Sequence, residues 1–134
     1  MSSTKVEYKD RVEWRNKKGK YHRTNGPAIE WHNGTKSWYL NGKRHRTEGP
    51  AVESSGGDKE WFLNGKLHRE DGPAVQWTSG TKFWYLNGKI HREDGPAVEL
   101  SNGTKQWFLN GEECSEEQWE KEVMRIKLKR LSEL

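Results

Sequence analysis

Short stretches of alternating apolar and polar residues, each closed by a glycine turn, run through most of this chain. In one of them Pro50-Ala51-Val52-Glu53 leads into the turn Ser54-Ser55-Gly56-Gly57-Asp58, and Lys59 to Leu63 returns before Asn64-Gly65. Alternation with period two marks a strand with two unlike faces. Ile29, Val52, Val75 and Val98 point to one face, and Glu30, Glu53, Gln76 and Glu99 to the other. On the returning strand Trp38 and Leu40 share a face and Tyr39 takes the opposite one. Trp61-Phe62-Leu63, Trp84-Tyr85-Leu86 and Trp107-Phe108-Leu109 repeat the arrangement. Aromatics on both faces predict a twisted ribbon with tryptophans stacked on one face, not a sandwich with one dry side.

The pattern returns every 23 residues without a gap, bringing Gly26-Pro27-Ala28, Gly49-Pro50-Ala51, Gly72-Pro73-Ala74 and Gly95-Pro96-Ala97 into register. A fixed period in this range predicts an array in which neighbouring units bury one another. Asn41-Gly42, Asn64-Gly65, Asn87-Gly88 and Asn110-Gly111 predict type I′ hairpin turns, since both central residues must take positive φ. Asp71-Gly72-Pro73 predicts a kink after the hairpin, proline having no amide hydrogen to give. The predicted fold is an all-β repeat: an elongated, single-layered antiparallel β-hairpin array over residues 22–113, four units long, with a capping α-helix in residues 114–134. Residues 1–21 are a degenerate N-terminal capping repeat, with Lys18-Gly19-Lys20 where Asn41-Gly42-Lys43 stands and Trp14 one place early. Ser115-Glu116-Glu117-Gln118 has the form of a capping box, predicting a helix of about 16 residues. On it Trp119, Val123, Ile126 and Leu134 share one arc, and Met124, Leu128 and Leu131 an adjoining one. Together the arcs are wider than one packed stripe requires. Part of the helix is therefore expected to cover the last repeat, and the rest to meet another chain, a homodimer through this helix included.

Composition changes the picture in two ways. A hydrophobic fraction of 30%, a mean hydropathy of -1.23 and 33% charged residues would by themselves suggest disorder. Eight Trp, four Tyr and three Phe placed periodically overturn that, because adjacent thin units can bury large aromatic surfaces between them. The net charge of +4 arises entirely within residues 1–20, seven basic against three acidic, while the remainder balances. A nucleic acid or an acidic membrane is therefore a partner for the basic ends only, Arg125, Lys127, Lys129 and Arg130 included, and a solvating role is preferred. Cys114 is the single cysteine, which leaves no disulfide and no cysteine-based zinc site. The polar start Met1-Ser2-Ser3-Thr4-Lys5 carries no leader or membrane span, and the expected compartment is the cytoplasm.

His22, His45, His68 and His91 stand in register, but equivalent histidines two strands apart lie roughly 10 Å from one another, too far to share one zinc. Their expected role is a hydrogen bond to a neighbouring turn. Arg69 and Arg92, before Glu70-Asp71 and Glu93-Asp94, predict ion pairs between adjacent units. No phosphate loop, nucleophile elbow or His-Glu-x-x-His is present, and acids and histidines recur in every unit, whereas an active site gathers a few unlike groups. The expectation is no enzyme, no cofactor and no metal.

Stacking requires likeness between copies, so the columns that vary point to a partner. One column reads Trp31, Ser54, Trp77, Leu100; another reads Ser37, Glu60, Phe83, Gln106. Exposed aromatics around the notch at Ser54 fit the anchors of a protein interface. The candidate partner-binding residues are Trp31, Ser54, Trp77 and Phe83 on the array and Trp119, Met124 and Leu128 on the helix. A degenerate turn in a weak repeat is the other reading of Ser54.

Asn41-Gly42-Lys43-Arg44-His45 and Asn64-Gly65-Lys66-Leu67-His68, with the 23-residue period, resemble the MORN repeat family over residues 22–113. Here Gly-Pro-Ala replaces the second Gly-x-Gly and Trp-Tyr/Phe-Leu replaces Gly-x-Trp, a pattern similar to a variant of bacteria and their phages. The resemblance implies an extended single-layered hairpin array for protein interaction or scaffolding, sometimes for acidic lipid, against which the balanced charge of the repeats speaks. The expected function is a non-catalytic protein-binding module; by the resemblance it is a phage-encoded inhibitor that occupies a host defence protein. The alternatives are a nucleotide-type ligand sponge with aromatic notches, or a lipid or nucleic-acid binder acting through the basic termini.

Overall fold

The structure, a computed structural model, describes residues 2–134. Eleven strands follow one another in chain order through a single open antiparallel sheet: Thr4–Glu7, Arg11–Arg15, Ile29–Trp31, Lys36–Ser37, Val52–Glu53, Lys59–Glu60, Val75–Gln76, Lys82–Phe83, Val98–Glu99, Lys105–Leu109 and Glu112–Cys114. At about 4.8 Å per step the sheet runs for roughly 48 Å across its strands. Beside it stand three two-stranded hairpins, Tyr39–Leu40 with Lys43–Arg44, Phe62–Leu63 with Lys66–Leu67, and Tyr85–Leu86 with Lys89–Ile90. The architecture is the expected single-layered array of β-hairpins, closed at its C-terminal end by helix α1, Glu116–Ser132. Among the described residues no helix is long and apolar enough to cross a membrane.

In the first three repeats the returning strand is not continuous, as alternation alone suggests, but breaks at the tryptophan; in the fourth, Lys105–Leu109 runs through Trp107 unbroken. Trp38 donates its N–H to Ala51 O of the next unit at 2.7 Å, while its own carbonyl accepts from His45 N–H at 3.0 Å. Trp61 with Ala74 and His68, and Trp84 with Ala97 and His91, do the same. Each tryptophan thus passes the chain from the sheet ladder to the hairpin ladder. Ala28, Ala51, Ala74 and Ala97, beside this junction, are 0% exposed, which leaves no room for a larger side chain.

The tryptophans do not stack on one another. Four of them carry a guanidinium close over the ring: Arg23 on Trp14, Arg46 on Trp38, Arg69 on Trp61 and Arg92 on Trp84, all at 3.7 or 3.8 Å. Successive units are two strands apart, too far for indoles to touch, so a flat cation fills the space. The arginine is held from three sides. Nη1 of Arg46 donates to Pro50 O at 3.0 Å and to Glu53 at 3.2 Å, and Nε of Arg69 and Arg92 donates to Asp71 and Asp94. These pairs close within a unit, two or seven residues apart, and do not form the expected ladder between units.

Binding between units falls to the turns. Asn41, Asn64, Asn87 and Asn110 take φ of 49 to 50°, each before a positive-φ glycine, as the I′ turn demands. Their backbone N–H groups donate to Nδ1 of His22, His45, His68 and His91 at the start of the same unit at 2.9 to 3.0 Å, and the glycines that follow, Gly65, Gly88 and Gly111, donate to Arg44, Leu67 and Ile90 O of the preceding unit at 2.8 Å. At the opposite rim, Thr35 Oγ1, Asp58 Oδ1 and Thr81 Oγ1 accept from the N–H of Ser55, Thr78 and Ser101 in the next unit.

The N-terminal unit keeps this plan with one extra residue. Trp14 donates to Ala28 O and accepts from His22 N–H like its counterparts, and the insertion is absorbed in the turn, where Asn16 Oδ1 accepts from Lys18 and Lys20. At the other end the His-Arg pair becomes Cys114-Ser115, so Trp107 has no arginine to cover it. Ser115 instead caps α1, its Oγ accepting from Gln118 N–H and its N–H donating to Gln118 Oε1. The helix packs on strand Lys105–Leu109 through Val123, which is buried, and half-buried Trp119 and Ile126. Leu134 lies beyond the helix and is fully exposed, so it leaves the arc on which periodicity had placed it.

Candidate partner-binding surface

Strand register decides which of the variable residues share a face. Ile29 pairs with Ser37, Ser37 with Val52, Val52 with Glu60, Glu60 with Val75, Val75 with Phe83, and Phe83 with Val98. Opposed residues in an antiparallel ladder point to the same side, and a residue two positions on returns to it. Trp31, Ser54, Trp77 and Leu100 therefore lie on the face of this row. The structure brings Trp31, Ser54, Trp77 and Phe83, which come from two different columns of the repeat, onto one side of the sheet.

Within that face Trp77 and Phe83 meet. Their ring centroids are 5.5 Å apart at 72°, an edge-to-face pair, and Trp77 is 40% exposed. Trp31 stands four strands away, roughly 19 Å, half-buried beneath the Arg11 guanidinium. Ser54 lies between them, and its Oγ accepts from Asp58 N–H at 2.9 Å, so the notch is a polar hollow between neighbouring rims and not an apolar hole. Towards the N-terminal end the row passes through Glu13, 0% exposed, which pairs with Ile29 on one side and Val6 on the other and is gripped by Arg11 and Arg15. Burial pushes the Glu13 carboxyl up, but the hydrogen bonds from Arg11 and Arg15 outweigh it and hold it below the ordinary carboxylate value. Sequence reasoning did not single out Glu13, because neither its burial nor its pairing is periodic.

The helix residues separate. Trp119 donates its indole N–H to Arg92 O at 2.8 Å, so it belongs to the seat of the helix, not to its outer surface. Met124 and Leu128 are 59% and 58% exposed and, with Leu131, form an uncovered stripe. Helix α1 is clasped at its far end by Arg130, whose two guanidinium nitrogens donate to both oxygens of Glu93 at 2.6 and 3.0 Å. Glu93 also accepts at 2.8 Å from His91 Nε2, which must carry the proton because Nδ1 accepts from Asn110. Arg130 draws the Glu93 carboxyl below the usual glutamate range, burial opposes it, and His91 adds to the lowering.

Three open clefts repeat on the loop side, of about 510, 650 and 550 Å³, each between successive His-Arg loops with Trp38, Trp61 or Trp84 at its base. The histidine Nε2 in these loops meets Glu70 and Glu93 in the third and fourth copies, where the first two have Thr24 and Thr47. Among the described residues no group of three His, Cys, Asp or Glu side chains is placed to hold a metal ion. No family model matches the chain, and neither a curated protein nor a solved structure matches it.

Proposed function

We propose that this protein is a non-catalytic repeat scaffold that captures a protein partner on the sheet face bearing Trp31, Trp77, Phe83 and Leu100. The observation that carries the reading is the Trp77–Phe83 pair: two aromatics in edge-to-face contact, one of them 40% exposed, in the only repeat where both columns are aromatic. Buried aromatic anchors dominate protein interfaces, and a rigid pair loses little freedom on binding. The groups that chemistry would need are engaged elsewhere. Each repeat histidine accepts a backbone N–H and each repeat arginine covers a tryptophan. The resemblance to the phage-associated MORN variant extends the reading to an inhibitor that occupies a host defence protein in the cytoplasm.

Affinity capture from bacterial lysate, compared between the native chain and Phe83→Ser, tests it. The substitution is expected to abolish recovery of a specific partner while the chain stays folded, its unfolding free energy falling by about 1 to 2 kcal/mol for the lost half-buried ring and its contact with Trp77. Equal recovery by both proteins refutes the assignment of this face.

A further inference from the structure

On the face opposite Trp77, the first strand of a repeat carries an acid that pairs with an arginine and stands across from lysines. Glu53 stands opposite Lys36 and Lys59 and accepts from Arg46 Nη1 at 3.2 Å. Glu99 stands opposite Lys82 and Lys105 and accepts from Arg92 Nη1 at 2.9 Å. Glu30 stands opposite Lys36 and takes Arg23 at 3.5 Å. Each carboxylate thus sits below a guanidinium seven residues upstream and beside lysines of the neighbouring strands.

In the third repeat this position is Gln76. Its cross-strand partners are Lys82 and Lys59, and Arg69 lies seven residues upstream. Arg69 is fixed as its counterparts are, 3.8 Å over Trp61, with Nη1 donating to Pro73 O at 3.1 Å and Nε to Asp71 at 3.1 Å. The cations remain and the charge they surround is missing. Gln76 is exposed, and Arg69 is the one repeat arginine without the acid seven residues on that Arg23, Arg46 and Arg92 pair with; among the described residues Lys59 and Lys82, like Lys36 and Lys105, form no ion pair. Asp71 does not stand in for the lost acid, because Asp94 makes the same Nε contact beside Glu99 in the fourth repeat. Lys59 and Lys82 also border Glu53 and Glu99, so the local excess is one positive charge and not three.

We propose that Gln76 marks an oxyanion site, with Arg69 Nη1 as its fixed donor where the other repeats hold a carboxylate, and with Lys59 and Lys82 on the two neighbouring strands turning to it when it is filled. A carboxylate or a phosphate group occupies it. The arginine is already locked between Trp61 and Pro73, so binding costs little ordering, and only the two lysines must settle. The site also gives the array a register. Identical repeats would let a partner bind equally well one unit along, and the acid is absent from one repeat only, the one that carries Trp77 and Phe83 on its other face. The inference stands apart from the aromatic-face reading, since the two surfaces lie on opposite sides of the sheet and are tested by different variants.

The test is an NMR titration of the full chain with inorganic phosphate and, separately, acetate, with sodium chloride at equal ionic strength as the control. Saturable shifts are expected at the Gln76 side-chain amide and the Arg69 Nε–H, absent with chloride. Gln76→Glu, which restores the sequence of the other repeats, should lower affinity at least tenfold; Gln76→Ala should retain binding, and Lys82→Gln should weaken it several-fold. Saturation at a lower concentration of acetate than of phosphate assigns the site to carboxylates, and the reverse order to phosphates. Shifts that grow without saturating, shifts of equal size at Arg46 and Arg92, or unchanged affinity in Gln76→Glu overturn the proposal.

Discussion

Repeat two presents Val52-Glu53-Ser54 and returns through Lys59-Glu60-Trp61, whereas repeat three presents Val75-Gln76-Trp77 and returns through Lys82-Phe83-Trp84. Their frames coincide. Trp61 and Trp84 both donate to the alanine of the next unit, at 2.7 and 2.9 Å, and both lie 3.8 Å beneath an arginine. His68 and His91 both take the next turn's N–H at 2.9 Å. The three positions that differ, Glu53 and Gln76, Ser54 and Trp77, Glu60 and Phe83, are ones whose side chains lie outside these frame contacts. A repeat of this construction can therefore change what it displays without changing how it stands.

The comparison breaks most sharply if the frames are not energetically alike. Trp61→Ala and Trp84→Ala should each destabilise the array by about 3 kcal/mol, losing both the indole and the surface on which its arginine rests. Urea unfolding of the two variants checks this, and costs that differ by more than about 1 kcal/mol would show that the repeats do not share one frame.

A smaller effect separates the fourth loop from the others. Glu93 alone among the corresponding loop positions is tied to α1, through Arg130, and its carboxyl is held below the ordinary glutamate value in the folded chain. The unfolded state therefore binds the proton more readily. The stabilisation is complete above the unfolded glutamate value, near 4.3, and is lost as pH falls through the lower folded value. The Trp119 indole N–H resonance, bonded to Arg92 O, should shift over that acid range in the native chain and not in Glu93→Gln.

The smallest stability effect is expected where the display changes most. Converting repeat two to the face of repeat three, Ser54→Trp with Glu60→Phe, should move the unfolding free energy by no more than about 0.5 kcal/mol. Partner capture is the sensitive readout: the added pair should restore binding to a chain carrying Phe83→Ser. Failure to restore it would show that the partner also reads the Gln76 side of repeat three.

Much of this is legible in the sequence. Asn41-Gly42 and its counterparts name their own turn, because positive φ is a property of those two residues. Ser115 and Gln118 name the start of α1 because the capping box closes within one turn. The 23-residue period likewise established the array and its strand alternation. These signals are local, or repeat at a fixed interval, so no distant partner is needed to interpret them.

Tertiary structure alone decided where each backbone and side-chain bond goes once the units meet. Alternation could not show that Trp38 divides its N–H and C=O between two ladders, since side-chain pattern does not record backbone partners. Nor could it place Arg46 over Trp38, bury Glu13 between two arginines, or bring Phe83 against Trp77. Each of these depends on the register of strands or loops that are separated in the chain or packed at its ends. Register is set by the whole array settling at once, and a residue's sequence neighbours do not carry that information.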